Sequence, residues 1–229
     1  MIRLVLFDVD GTLVHTGGAG VKAFARAFES EFGVNDGTHR LKFGGRTDFS
    51  LVREFFTQER IEASPRNFER FFQAYLFWLR ELISDCKGGP CRGVLEFHQA
   101  LMAQGEPPLI GLLTGNIKEG ARIKLERFNL WDKFAFGGFA DDHEERAQIA
   151  AAALRRGGER LGRDLRGEEV VVIGDTPLDI RCARAVGAKV LAVATGGALL
   201  EELLRHEPDW AVPDLSQIDA ERVIGGTHS

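Results

Sequence analysis

Hydrophobic positions change their period along this chain, and the changes divide it. Leu4-Val5-Leu6-Phe7 is an unbroken apolar run closed by Asp8-Val9-Asp10-Gly11-Thr12. A run that short, ended by a glycine turn, predicts a strand buried on both faces, as in parallel sheets. A helical period follows. Val21, Phe24, Ala25, Phe28 and Phe32 share one face of a helix ending near Gly33, and a polar loop spans Asn35 to Arg40. Thr47 or Asp48 is placed to cap a second helix carrying Leu51, Val52, Phe55 and Phe56. Pro65 suits the first turn of a third, in which Phe68, Phe71, Phe72, Tyr75, Leu79 and Leu82 fall at helical spacing. Gly17-Gly18-Ala19-Gly20 and Gly88-Gly89-Pro90 bracket this block with hinge-like composition. The pattern therefore predicts an all-helical insertion over 17–89 in a core made of 1–16 and 90–229.

From Val94 onward helices alternate with strands. Helices are predicted over 93–104, 117–128, 144–156 and 178–186, with strands over 109–113, 134–139, 170–173 and 189–193. That alternation means crossover connections and a parallel α/β sheet. Polar punctuation comes each time at a strand's carboxyl end, where open α/β sheets bind ligands. Asp8, Asp10, Thr114, Arg146 and Asp175 thus fall along one rim. Asp8 and Asp10, two residues apart, leave the first strand on the same side.

Composition narrows the chemistry. The 229 residues carry 44% hydrophobic and 28% charged side chains, ordinary for a folded globular protein, so disorder is not expected. A net charge of -5 argues against nucleic acid or an anionic membrane as partner. No stretch approaches a membrane span and no signal-peptide pattern opens the chain, so a cytoplasmic location is the default expectation. Cys86, Cys91 and Cys182 are odd in number and lack metal-ligand spacing, which predicts free thiols.

Asp175 and Asp179 bring the carboxylates on the rim to four, a crowding that a cation relieves. Oxygen ligands without a His or Cys constellation suit magnesium, with Asp8, Asp10, Asp175 and Asp179 as candidate ligands. Single histidines near the rim, His15 and His143, read as surface residues. Thr114, beside the backbone N–H groups of Gly115 and Asn116 at a helix start, offers an anion seat. A cation, a hydroxyl and amides converging on an anion suggest phosphoryl chemistry. One aspartate of the first pair would be the nucleophile and the other a general acid/base, their roles exchangeable on this argument alone.

Asp8-Val9-Asp10-Gly11-Thr12-Leu13, Leu112-Leu113-Thr114-Gly115-Asn116 and Gly174-Asp175-Thr176-Pro177-Leu178-Asp179, in that order, resemble the motifs of the haloacid dehalogenase-like superfamily of phosphohydrolases. The resemblance covers nearly the whole chain. It implies a Rossmann-like core with an inserted helical cap, magnesium, Asp8 as nucleophile, Asp10 as acid/base, Thr114 as phosphate-binding hydroxyl, and Asp175 as a metal ligand supported by Asp179. The family's usual motif lysine is not found in the expected segment, Asp141 to Ala147, where Arg146 is the basic residue. Arg146 neutralises the same charge with a wider fork; Lys124, mid-helix after Thr114, and Lys133 are the alternatives. Gly44-Gly45-Arg46-Thr47-Asp48 resembles the specificity loop of cap-bearing members, which makes Arg46 a candidate for gripping a substrate carboxylate or second anion.

Within that superfamily the chain resembles phosphoglycolate-phosphatase-like enzymes, and the expected partner is a small phosphorylated metabolite. A phosphosugar mutase shares the same catalytic set. A phosphonate hydrolase would need a cap lysine, for which Lys22 and Lys42 have no distinguishing context, and a dehalogenase would not need Asp10. The reading from a different class is a phospho-accepting or binding domain without turnover.

Overall fold

The computed structural model describes residues 1–35 and 37–225. Asp36, within the loop predicted over 35–40, lies outside the described residues, and a short 3-10 turn occupies Gly37–Arg40. The elements run β1 (Leu4–Phe7), β2 (Val14–His15), α1 (Ala19–Phe32), α2 (Asp48–Gln58), α3 (Pro65–Ile83), β3 (Gly89–Pro90), α4 (Val94–Met102), β4 (Leu109–Leu113), α5 (Lys118–Glu126), β5 (Gly137–Gly138), α6 (Arg146–Leu161), β6 (Val170–Gly174), α7 (Pro177–Ala185), β7 (Lys189–Val193), α8 (Leu200–Leu204), β8 (Trp210–Val212) and α9 (Ala220–Ile224). Six strands form a parallel sheet in the order β5-β4-β1-β6-β7-β8. β1 is central, and the chain builds outward from it in both directions. That strand-order reversal opens a crevice at the carboxyl ends of β4, β1 and β6.

β1 is apolar at every position because both of its faces are covered. Val5 and Phe7 join Ile110, Leu112, Val171 and Ile173 against α4, α5 and α9. Leu4 and Leu6 join Val170, Val172 and Val190 against α6 and α7. Each such aliphatic side chain contributes about 1.5–3 kcal/mol on burial, so the strand is anchored from both sides and its tip is fixed.

The helices between β2 and β3 enclose a separate apolar cluster. Phe24, Phe28, Phe55, Phe71 and Tyr75 form its centre, with Phe24 and Tyr75 ring centroids 4.7 Å apart edge to face. β2 and β3 pair antiparallel, so the chain leaves for the helices and returns from them along one short ribbon. The helical cluster also takes in Ile117 and Ile123 around α5, through which it leans on the sheet-bearing part.

Several sequence expectations shift in detail. Val21 is exposed, because α1 buries Ala19, Ala23, Phe24, Ala27 and Phe28 instead. The small alanines let α1 lie close to its neighbour, and this rotates the buried face. The strand predicted over 134–139 shrinks to Gly137–Gly138. Single backbone bonds continue the pairing toward its predicted start, from Ala135 N–H to the Ile110 carbonyl at 3.3 Å and from Leu112 N–H to the Phe136 carbonyl at 2.9 Å, while at Gly138 an added Cβ would lie 2.5 Å from the Ile149 carbonyl oxygen, so glycine there lets α6 cross closely. α6 itself runs past Arg156 to Leu161 through Gly157-Gly158. A Cβ on Gly157 would meet Leu4 Cδ2 at 2.7 Å, so the glycine there serves close helix-to-sheet packing and does not end the helix. β8, α8 and α9, beyond the last predicted strand, carry patterns too short to read.

Candidate active site

Local structure at the crevice starts from the tip of β1. Asp8 N–H donates to the Ile173 carbonyl at 2.9 Å, extending the pairing with β6 by one residue. Gly11 then turns at φ 81°, a left-handed value that favours glycine, and Leu13 and Val14 N–H both return to the Val9 carbonyl. The turn places Asp8 inside and Asp10 at the mouth, their side chains 7% and 43% exposed.

β6 delivers Asp175, whose Oδ1 accepts the Thr12 hydroxyl at 3.1 Å. A Cβ on Gly196 would fall 1.6 Å from Asp175 Oδ2, so the carboxylate is wedged between the loops after β1 and β7. Asp179 follows from the α7 capping box, in which Thr176 caps the helix and Asp179 Oδ2 takes the Thr176 N–H and hydroxyl in return. Carboxylate oxygens of Asp8, Asp175 and Asp179 all lie within 4.8 Å of one another, and all three residues are buried. Burial first, then the Asp179 charge, pushes Asp8 up to about 7 despite the opposing Arg146. Burial followed by Asp179 and Asp8 pushes Asp175 up to about 8. Acids so disposed resist ionising unless a cation joins them.

Arg146, the first residue of α6, reaches into this group. Its guanidinium bonds Asp179 Oδ1 and lies 3.5 Å from Asp8 Oδ1. Burial alone would lower its pKa; Asp179 and Asp8 outweigh that and raise it. Asp10 is not part of the three-acid group. Its Oδ2 accepts Lys124 Nζ at 2.6 Å and Asn116 Nδ2 at 2.7 Å, so its side chain turns toward α5 instead of joining the expected four ligands. The Asn116 amide completes a network: its oxygen takes Lys124 Nζ at 2.6 Å, and its nitrogen also donates to Thr114 Oγ1 at 2.8 Å. Lys124 is thus buried inside the site, having entered the sequence reading only as an alternative to Arg146. Its signal was there, since Ile117, Gly120 and Lys124 share a helical face that a solvated lysine has no reason to occupy. Of the two amides expected in the anion seat, Asn116 N–H is turned to Thr114 Oγ1 at 3.3 Å.

The loop before α2 closes over these groups. Thr47 caps α2, as predicted, and also donates its hydroxyl to the Glu144 carbonyl at 2.7 Å. Asp48 N–H donates to the Gly115 carbonyl at 2.7 Å, and Asp48 Oδ2 accepts Ile117 N–H at 2.8 Å. Burial, only partly offset by Lys124, pushes the Asp48 carboxyl up to about 7. Arg46, expected to grip a substrate anion, turns its guanidinium to Glu54 and to the Ser50 carbonyl. The long arginine arm reaches a carboxylate eight residues further on, in α2, and pairs with it instead of hanging in the cavity. Lys22 and Lys42 are exposed and off the cavity wall. His15 and His143 are at the surface, and Cys86, Cys91 and Cys182 are free. Asp8, Asp10, Thr114, Lys124, Arg146 and Asp175 line one cavity of about 160 Å³, and Asp179 is fully buried outside its lining.

A family model described as haloacid dehalogenase-like hydrolase matches residues 5–193 of the chain. The chain belongs to that family. As a haloacid dehalogenase-like hydrolase it is 27% identical over 220 residues to Pyrophosphatase PpaX of Halalkalibacterium halodurans, covering 95% of this chain and 96% of that protein. It is 26% identical to Pyrophosphatase PpaX of Bacillus pumilus, covering 95% and 94%. Among solved structures, CbbY from Rhodobacter sphaeroides in complex with phosphate superposes with a TM-score of 0.75 at 17% identity, over 95% of this chain and 96% of that one. That likeness shows the fold. No helix among the described residues of this hydrolase is long and apolar enough to cross a membrane.

Proposed function

We propose that this hydrolase is a magnesium-dependent phosphatase of small phosphate monoesters, working in the cytoplasm through an aspartyl-phosphate on Asp8. The observation that carries the reading is the buried group of three acid oxygens within 4.8 Å beside the Asp10-Lys124-Asn116-Thr114 network. An all-oxygen, mutually repelling donor set fits a hard divalent ion. Asp8 and Asp175 would hold it, with Asp179 behind them. Bound there, magnesium supplies positive charge against the phosphoryl oxygens and keeps both acids ionised.

The remaining steps belong to the chain's own residues. Asp8 attacks phosphorus and the bond from phosphorus to the ester oxygen breaks. Asp10 gives that oxygen a proton. Both Lys124 and Asn116 donate to Asp10 Oδ2, which leaves Oδ1 for the transfer. Asp10 then takes a proton from water, the water oxygen bonds phosphorus, and the bond to Asp8 breaks to release phosphate. Thr114 and Lys124 hold the phosphoryl oxygens, while Arg146 orients Asp8 and Asp179. Residues 17–89 act as a cap that swings on the β2/β3 ribbon and the glycines flanking it, admitting substrate and then excluding water.

The test is phosphate release from p-nitrophenyl phosphate with and without magnesium. Metal-dependent turnover that disappears in Asp8→Asn supports the reading. A folded protein inactive with every divalent metal removes it.

A further inference from the structure

Beyond the phosphoryl end, the cavity wall is made by the helical segment, and its chemistry is uneven. Val21, Phe24, Phe43 and Leu51 give it an apolar side. Two polar groups interrupt that side. Asp48 is 6% exposed, and only its Oδ2 is engaged, by Ile117 N–H. Tyr75 is fully buried, and its hydroxyl, 3.5 Å from where a Cβ on Gly120 would stand, makes no hydrogen bond among the described residues. Both groups line the cavity, and a molecule bound there that brings a donor and an acceptor would use the hydrogen-bonding capacity they have left.

The cations at the cavity are already committed. Lys124 is held by Asp10 and Asn116, Arg146 by Asp8 and Asp179, and Arg46 by Glu54. None of these three is left to balance a second anion on the leaving group, and Asp48 would repel one. The space is also small. About 160 Å³ lies below the range of ordinary drug-sized ligand pockets.

We propose that the leaving group is a compact alcohol carrying a hydroxyl or ammonium donor and no second anion, its donor on Asp48, its acceptor on Tyr75 and its carbon face on Phe24 and Leu51. This rests on the phosphatase reading above and narrows it. It sets the chain apart from hydrolysis of pyrophosphate, whose leaving group is itself an anion, and from 2-phosphoglycolate, whose leaving group carries a carboxylate.

The test compares kcat/KM for p-nitrophenyl phosphate, glycerol 1-phosphate, phosphoethanolamine, pyrophosphate and 2-phosphoglycolate at one free magnesium concentration. Glycerol phosphate or phosphoethanolamine is expected to exceed both anionic competitors by at least about tenfold, the scale of one hydrogen bond gained or lost. Asp48→Asn keeps an oxygen for Ile117 N–H but removes the charge. It is expected to shrink the ratio of phosphoethanolamine to pyrophosphate by about tenfold, on the same scale. Hydrolysis of p-nitrophenyl phosphate with pyrophosphate or phosphoglycolate preferred, or a ratio unmoved in a folded Asp48→Asn protein, overturns the leaving-group inference and leaves the phosphatase reading standing. No hydrolysis of any of the five overturns both.

Discussion

Lys124 Nζ stands 2.6 Å from Asp10 Oδ2, so a cation from the middle of α5 and an acid from the tip of β1 meet across the crevice. The lysine side chain is 6% exposed and the aspartate 43%, so the pair holds its charge at the cavity mouth with the lysine sheltered. Replacing Lys124 by Met keeps most of its volume and removes the charge. The expected result is a fall in kcat of about a hundredfold or more, the magnitude found for losing one positioned electrostatic donor. Steady-state kinetics with p-nitrophenyl phosphate, alongside a circular dichroism check of folding, measures it. Wild-type kcat in Lys124→Met would remove the lysine from the chemistry.

Arg146 poses a different question, because it sits between two buried acids. Truncating it to Ala leaves Asp8 and Asp179 facing each other without compensation, and breaking such a buried pair typically costs about 3–5 kcal/mol. Arg146→Ala is therefore expected to lose stability as well as activity, in contrast to Lys124→Met. Urea unfolding of the two variants separates the roles, and equal midpoints would contradict this division.

Magnesium is expected to stabilise the fold most at alkaline pH. Asp8 and Asp175 carry folded-state values of about 7 and about 8, above their ordinary 3.8. A carboxyl raised in this way favours the folded form fully only below about pH 4, and that contribution is lost as pH rises through 7 to 8. In EDTA the melting temperature should decline across that window, and magnesium should flatten the decline by holding both groups ionised. A thermal-shift series from pH 5 to 8.5, run with and without the metal, reads this directly. Parallel curves would show that the ion does not bind these acids.

Asp8→Asn should abolish turnover while the metal-free protein gains or keeps thermal stability at pH 8. Burial and the Asp179 charge oppose ionisation of Asp8, so a neutral isostere relieves strain that the native side chain carries for function. Retained turnover in Asp8→Asn would displace Asp8 as nucleophile.

Gly115→Ala tests closure over the site. A Cβ there would fall 2.2 Å from the Arg46 carbonyl oxygen, a backbone atom with little room to yield. The variant should hold the loop of Gly44 to Asp48 away from the strand tips and lower kcat/KM by at least about tenfold, since small displacements of positioning groups are expensive. Unchanged kinetics would mean that the observed contact is not needed for turnover.

The sequence by itself determined the parallel sheet, the helical segment between the glycine breaks, and the gathering of Asp8, Thr114 and Asp175 at strand ends. Those features are written in local periodicity: strands covered on both faces must be apolar throughout, and polar residues are left only at their tips. Asp8 and Asp175 had to converge because β1 and β6 are neighbours in register. Tertiary structure alone decided which side chains meet. Arg46 looked available until Glu54 was seen to hold it, Asp10 looked like a fourth member of the acid group until Lys124 and Asn116 drew it to α5, and Asp48 and Tyr75 looked like a helix cap and a core aromatic. Partners separated by 106 and 114 residues, as for Asp10 with Asn116 and Lys124, leave no local pattern. Their pairing comes from how α5 and the helical segment pack around the strand tips, where burial makes each polar group seek whichever partner the fold brings within reach.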